Sequence, residues 1–352
     1  MYENYVVKPE QSYLPCYVKC LKEELLHTLS EDALKRSPIN DPTILQYKGR
    51  ILGSKSHVSD FADWTGFLLE GYGPKHTCLS LGSGIGRVER YLIKIAFASS
   101  FETIELNPRH VAMAKLTDGR IKAHEGDLNF IELRANTYDF ILCHGVLHHL
   151  INLEHVLEQI NYALKPDGLL LIYEYVGEDR WQFNEARLNR LREMFPDIKL
   201  NNPPIWKLSG FESVRSGDLL KLITTQFGRV CERSVNYGGV FFPLVICNWR
   251  SARRKIKRIV ELDESVSQRL ELEPCYHMGV YRKSSELLPQ ARPWTDEQLN
   301  AKLFPPMPVH QRLVHIGNCV RSKVRLRTRL RSLLAVIKAL FNRNNQRRIW
   351  KT

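Results

Sequence analysis

No window of the 352-residue sequence reaches the roughly 18 uncharged apolar residues that a membrane-crossing helix needs. The opening stretch, MYENYVVKPEQSYLPC, lacks the apolar centre of a secretion signal. Together these absences predict a cytoplasmic protein. Cysteine pairs at metal or redox spacing are missing too. Cys16 and Cys20 have a CxxxC spacing, and Cys78 and Cys143 sit in apolar strand-like runs, so the eight cysteines read as reduced thiols. The hydrophobic fraction of 43% is ordinary and allows a sizeable core, in one large domain with extensions or in two domains. Acidic residues are absent from Gly317 to Thr352, where eleven Lys and Arg supply most of the net charge of +13. The rest of the chain is therefore close to neutral.

Against these absences stands one informative stretch, Thr77 to Arg87, TCLSLGSGIGR. Thr77, Cys78, Leu79 and Leu81 form a short strand-compatible run. Gly82, Gly84 and Gly86 follow at a spacing that lets the backbone bend sharply and approach a ligand. Val88 to Ala98 continues with helical periodicity. Strand, glycine turn and helix make the first half of a Rossmann-type unit, or else a plain turn between two elements. The dinucleotide fingerprint is absent, because its sixth position is Arg87 rather than glycine. An adenosine carrying an amino-acid tail, with no pyrophosphate, suits this spacing better than NAD.

Strands and helices alternate after His76, with strands expected at 77–81, 101–104, 121–124, 138–143 and 168–175. Such alternation predicts a parallel sheet covered by helices on both faces. Residues 1–60 read as a helical N-terminal extension, followed by a helix over 61–69 that leads to the first strand. The main domain spans 61–284, with an aromatic cap inserted at about 177–215, a strand near 229–235, a charged helix over about 251–270 and a last strand near 275–281. Residues 285–316 are proline-rich and read as a linker. A basic amphipathic tail fills 317–352.

Two acids fall where an adenosine ligand needs them. Glu105 ends the second strand, where a carboxylate accepts hydrogen bonds from ribose hydroxyls, and Asp127 follows the third strand, placed for the adenine amino group. Taken in order, LSLGSGIGR, IELNPRHVAMA, GDLNF, YDFILCHGVLHHL and LKPDGLLLIYEYVG closely resemble the successive motifs of the class I S-adenosylmethionine-dependent methyltransferases. The later pieces RSGDLLKLI, NYGG and YHMGVYRK resemble the strands that complete that fold. The resemblance implies a Rossmann-like, seven-stranded, mostly parallel sheet. It also implies S-adenosylmethionine as cofactor, with Gly82, Ser83, Gly84 and Gly86 around its methionine part, Glu105 on the ribose, Asp127 and Leu128 at the adenine, and Cys143 and His144 beneath the sulfonium.

In methyl transfer the protein supplies alignment and desolvation, which can be worth roughly 7–11 kcal/mol. A hydroxyl or amine acceptor also needs a base near neutral pKa, and His144, His148 and His149 are the catalytic candidates. His144 directly follows the fourth strand and is expected to face the crevice. Any of the three also reads as a capping or packing residue. A related methyltransferase subgroup carries a Glu, Glu, His metal cluster at positions that here hold Gly145, His148 and His149. The missing first carboxylate predicts no metal. Glu174, Tyr175, Arg180 and Trp181 are the acceptor-side candidates, with Arg180 suited to stack on a ring or pair with a phosphate.

In the tail, Leu326, Leu330, Leu333, Leu334, Ile337, Leu340 and Phe341 form an apolar stripe flanked by arginines. It reads as a basic helix over 321–342 resting on an anionic membrane, which would make the protein peripheral to the inner face of that membrane. A packed helix with a solvated face, or RNA contacts, are its other readings, nucleic acid being the lesser expectation. The expected function is O-methylation of a small molecule, sugar or lipid-linked glycan. An RNA methyltransferase and a non-catalytic binding protein of the same fold are the alternatives.

Overall fold

A computed structural model describes residues 5–26, 38–52, 69, 71–205, 208, 210–269, 271–307 and 311. Met1–Phe304 forms one compact unit and Pro305–Thr352 a second, and every element below belongs to the first. The expected helix over 61–69, Leu69 apart, and the basic tail lie outside the described residues.

The chain enters through a short strand β1 (Tyr5–Val6) and two helices, α1 (Pro15–Leu26) and α2 (Pro42–Ile51). Then β2 (Cys78–Leu81), α3 (Arg87–Lys94), β3 (Phe101–Glu105), α4 (Pro108–Thr117), β4 (Ile121–Glu125), β5 (Tyr138–His144), α5 (Leu153–Ala163) and β6 (Leu164–Tyr175) alternate as expected. The cap adds α6 (Glu185–Met194). After it come α7 (Ser216–Phe227), β7 (Cys231–Tyr237), α8 (Phe241–Ala252), α9 (Ile256–Gln268), β8 (Tyr276–Arg282), β9 (Arg292–Pro293) and α10 (Asp296–Leu303). Seven strands form one sheet in the order β4-β3-β2-β5-β6-β8-β7, in which β8 alone runs opposite to the other six.

Both faces of the central strands β2, β5, β6 and β8 are buried, so these are apolar at successive positions, whereas β3 and β4 toward one edge alternate with polar residues and the edge strand β7 is largely exposed. Leu79, Leu81, Ile141, Leu170 and Ile172 pack on one face with the apolar stripes of α5 and α7. Cys78, Phe101, Phe140, Leu142 and Leu171 pack on the other with residues of α3, α4, α8 and α9. The order of connections reverses between β2 and β5, so a crevice opens beyond their carboxyl ends. Helix starts are set locally: Asn107 caps α4, its side chain accepting the Arg109 N–H at 3.0 Å, with Pro108 in the first turn.

Two expectations need correction. The supposed linker is packed structure at least as far as Leu303. Residues Arg292 and Pro293 pair with β1, Thr295 caps α10, and Trp294, Leu299 and Leu303 are buried with Val7, Tyr17 and Phe211. Its prolines concealed three apolar anchors that outweigh a linker-like composition. The charged helix expected over 251–270 is α9, which starts only at Ile256, after a tight turn at Arg253–Lys255 that separates it from α8.

Candidate cofactor and acceptor site

A cavity of about 540 Å³ opens at the crevice and brings most of the expected residues together. Gly82, Gly84, Glu105, Asp127, Leu128, His144, His148, His149, Glu174, Tyr175 and Trp181 all line it. The three loop glycines have left-handed backbones, with φ of 64°, 54° and 74° at Gly82, Gly84 and Gly86. At Gly82 a Cβ would stand 2.1 Å from Val146 Cγ2, so only glycine lets the loop lie this close to the turn after β5.

Glu105 holds the loop. Its Oε2 accepts the Gly84 N–H and its Oε1 the Asn107 N–H, both at 2.9 Å, and His110 Nδ1 lies 3.5 Å from Oε1. Burial opposes ionisation of Glu105, but His110 and those two N–H groups outweigh it and hold the carboxyl below its ordinary value. One N–H on each oxygen leaves lone pairs on both for a vicinal diol. Asp127 is likewise fixed, accepting the Asn129 N–H at 2.9 Å and the Tyr17 hydroxyl at 2.7 Å. These acids fit the ribose and adenine of an adenosyl ligand.

The same cavity is lined by a histidine–carboxylate cluster on the turn after β5. Glu174 is 1% exposed. Its Oε1 accepts the N–H groups of Val146 and Leu147, both at 2.8 Å, and its Oε2 lies 2.7 Å from His148 Nδ1. Burial raises the Glu174 carboxyl, but His148 and the two N–H groups bring it below the ordinary range. His149 Nδ1 faces Glu24 Oε1 at 3.4 Å. The Nε2 atoms of His148 and His149 lie 3.7 Å and 3.8 Å from the two oxygens of Glu212. Burial disfavours a charged His149, yet Glu212, Glu24 and Glu174 overcome it and raise its pKa to about 9.

Glu212 reaches this cluster because the end of the cap is pinned. The Val214 N–H donates to the His148 carbonyl at 3.2 Å, and buried Arg215 grips Glu154 on α5 with bonds of 2.8 Å and 2.9 Å. Tyr173, Tyr175, Trp181, Phe242 and Tyr276 form an aromatic wall of the same cavity. The ammonium of buried Lys48 sits over it, 5.1 Å from the Tyr276 ring centroid, and burial lowers its pKa to about 7.

Several expected roles move. Arg180 is 6% exposed, and its guanidinium donates to the carbonyls of Gly210, Glu212 and Leu303 at 2.6 Å, 3.2 Å and 2.9 Å, so it ties the cap down instead of facing an acceptor. Glu174 orients His148. Cys143 is buried in the core, on the sheet face covered by α5 and α7. Ser83 and Gly86 belong to the loop but do not line the cavity; a Cβ on Gly86 would press on Ile121 Cδ1 at 3.0 Å, so its role is helix packing. Reading the sequence missed Glu24, Lys48 and Glu212. They come from the N-terminal extension and the cap, and no motif marks them.

A glycine loop at the end of β2, an acid at the end of β3 and a seven-stranded sheet of this order define the class I S-adenosylmethionine-dependent methyltransferase fold, and S-adenosylmethionine is the cofactor this site takes. A methyltransferase domain model matches residues 23–212, and the chain belongs to that family. Among curated relatives, it is 28% identical over 104 residues to the mitochondrial arginine-hydroxylase NDUFAF5 of Homo sapiens, covering 30% of each chain. It is 22% identical over 168 residues to a glycine/sarcosine/dimethylglycine N-methyltransferase of Actinopolyspora halophila, covering 45% of this chain and 29% of that one. The match therefore spans under a third of each of these relatives. Among solved structures, a putative sarcosine dimethylglycine methyltransferase from Galdieria sulphuraria is 15% identical, with a TM-score of 0.42 over 70% of this chain and all of that one.

Proposed function

We propose that this protein transfers a methyl group from S-adenosylmethionine to a hydroxyl oxygen of a small acceptor. The observation that carries this reading is one cavity lined both by the glycine loop with Glu105 and Asp127 and by three histidines. Bound there, the cofactor supplies a methyl group already activated on a sulfonium. The chain supplies position: Glu105 and Asp127 fix the adenosine, and Gly82 and Gly84 leave room for its amino-acid tail. His144, the last residue of β5, lies against Tyr173 with ring centroids 4.8 Å apart and takes the acceptor's proton. The aromatic wall excludes water and holds the flat or apolar part of the acceptor, and Lys48 offers a positive charge to an anionic part.

The decisive experiment is transfer of labelled methyl from S-adenosylmethionine into a cell extract by the purified protein, followed by chemical identification of the product. An ether-linked methyl group is expected; a labelled amine would overturn the oxygen assignment. The sequence of the tail supports a further part of this reading, contact between residues 321–342 and an anionic membrane surface on the cytoplasmic side, where a lipid-linked glycan acceptor would be met. Flotation with phosphatidylserine liposomes should fall when residues 317–352 are deleted, and equal flotation would remove that part.

A further inference from the structure

His148 and His149 are neighbours in one tight turn, with ring centroids 4.3 Å apart, and each turns its Nδ1 to a carboxylate, Glu174 and Glu24 respectively. Their Nε2 atoms are thereby both directed at Glu212. Histidines that bind metals are oriented in this way, one ring nitrogen held by a carboxylate while the other faces the ion. The donor atoms of His148, His149 and Glu212 lie within 4.8 Å of one another. Ligands on one tetrahedral ion stand roughly 3.3 Å apart, so closure needs side-chain shifts of about 1 Å. The charges also favour a cation, since three carboxylates, Glu24, Glu174 and Glu212, surround two imidazoles.

We infer that His148, His149 and Glu212 bind one divalent transition-metal ion, of the zinc, manganese or iron(II) class, where they line the cavity. Two imidazoles and one carboxylate select these borderline ions over calcium or magnesium. Three protein ligands leave coordination positions toward the cavity that an acceptor oxygen can fill. There the ion would hold the hydroxyl and lower its pKa, leaving His144 to take the proton. The expectation of no metal rested on Gly145, where the related subgroup has its first carboxylate; here the carboxylate comes from Glu212, more than sixty residues later in the chain. The acceptor role of the ion rests on the proposed methyl transfer, whereas ion binding itself does not.

The test is metal titration of the full-length, chelator-treated protein with Co(II), read by visible absorption, and with Zn(II), read by calorimetry. One equivalent should bind with d–d bands of a nitrogen- and oxygen-ligated site. His149→Ala and Glu212→Gln should each weaken binding at least 100-fold, and Glu174→Gln roughly 10- to 100-fold. His124→Ala, an exposed histidine on β4, should change nothing. Calorimetry with S-adenosylmethionine on the same samples shows whether each variant has kept its fold. For any variant that has not, the imidazole NMR signals of the unsubstituted protein decide instead, since one equivalent of Zn(II) must shift two histidines. Absence of a one-equivalent Co(II) spectrum, or unchanged affinity in a His149→Ala, Glu212→Gln double variant, overturns the site. Loss of methyl transfer with metal binding intact would count against the proposed function and not against the ion.

Discussion

His148 Nδ1 lies 2.7 Å from Glu174 Oε2, and the other oxygen of that buried carboxylate is held by two backbone N–H groups of the same turn. The last strand before the cap thus fixes the turn after β5 and the ring it carries. Removing the charge should loosen both. Glu174→Gln leaves a buried imidazole and an N–H imperfectly paired, which costs on the order of 1–3 kcal/mol. Denaturant unfolding checks this, and an unchanged midpoint would show that the pair adds nothing to stability.

Glu105→Ala should weaken S-adenosylmethionine binding at least 100-fold. It removes the diol acceptor and frees the Gly84 and Asn107 N–H groups that shape the loop, and hydrogen bonds to a charged group are worth roughly 1.5–3 kcal/mol each. Calorimetry measures it, with Glu125→Ala on the exposed end of β4 as a control expected to bind normally. Equal affinities in the two variants would remove Glu105 from the ribose.

His144→Ala should lower turnover by roughly 100-fold or more while cofactor affinity changes little, because a base acts on the acceptor's proton and not on the adenosine. Labelled methyl transfer to the identified acceptor, beside calorimetry, separates the two effects. Full turnover would dismiss His144 as the base.

Beneath the glycine loop, Glu89 is 2% exposed and bonded to Ser80 Oγ at 2.5 Å. Burial pushes its carboxyl from an ordinary 4.5 up to about 7. Because the folded pKa is the raised one, the protonated form favours folding: the contribution is complete below about pH 4.5 and is lost as pH rises toward 7. Glu89→Gln cannot ionise. Its stability relative to the unsubstituted protein should rise by about 2–3 kcal/mol between pH 4 and pH 8, measured by urea unfolding at both values. A constant difference would show that Glu89 does not titrate with folding.

The order of motifs carried the fold, since each motif depends on residues close together in sequence. A strand, its glycine turn and the acid at the next strand's end lie within about thirty residues from Thr77, and backbone geometry limits what they can build. The linker reading failed at Trp294, Leu299 and Leu303 because composition says nothing of whether an apolar residue finds a partner, and these find Val7, Tyr17 and Phe211 from far away in the chain. Arg180 read as an acceptor contact because arginine beside aromatics suits one. The carbonyls of Gly210, Glu212 and Leu303 that claim it were invisible.

By itself, then, the sequence determined the alternation of strands and helices, the glycine turn of the loop and the two acids Glu105 and Asp127 at the ends of neighbouring strands, all of them local consequences of spacing and side-chain type. Only the tertiary structure decided how the histidine cluster is arranged. The same turn that offered three histidines acquired its direction from Glu174 across a strand pair, from Glu24 on the N-terminal extension and from Glu212 at the close of the cap. Hydrogen-bond direction and charge balance depend on distances in space, and packing alone sets those between segments so far apart in the chain.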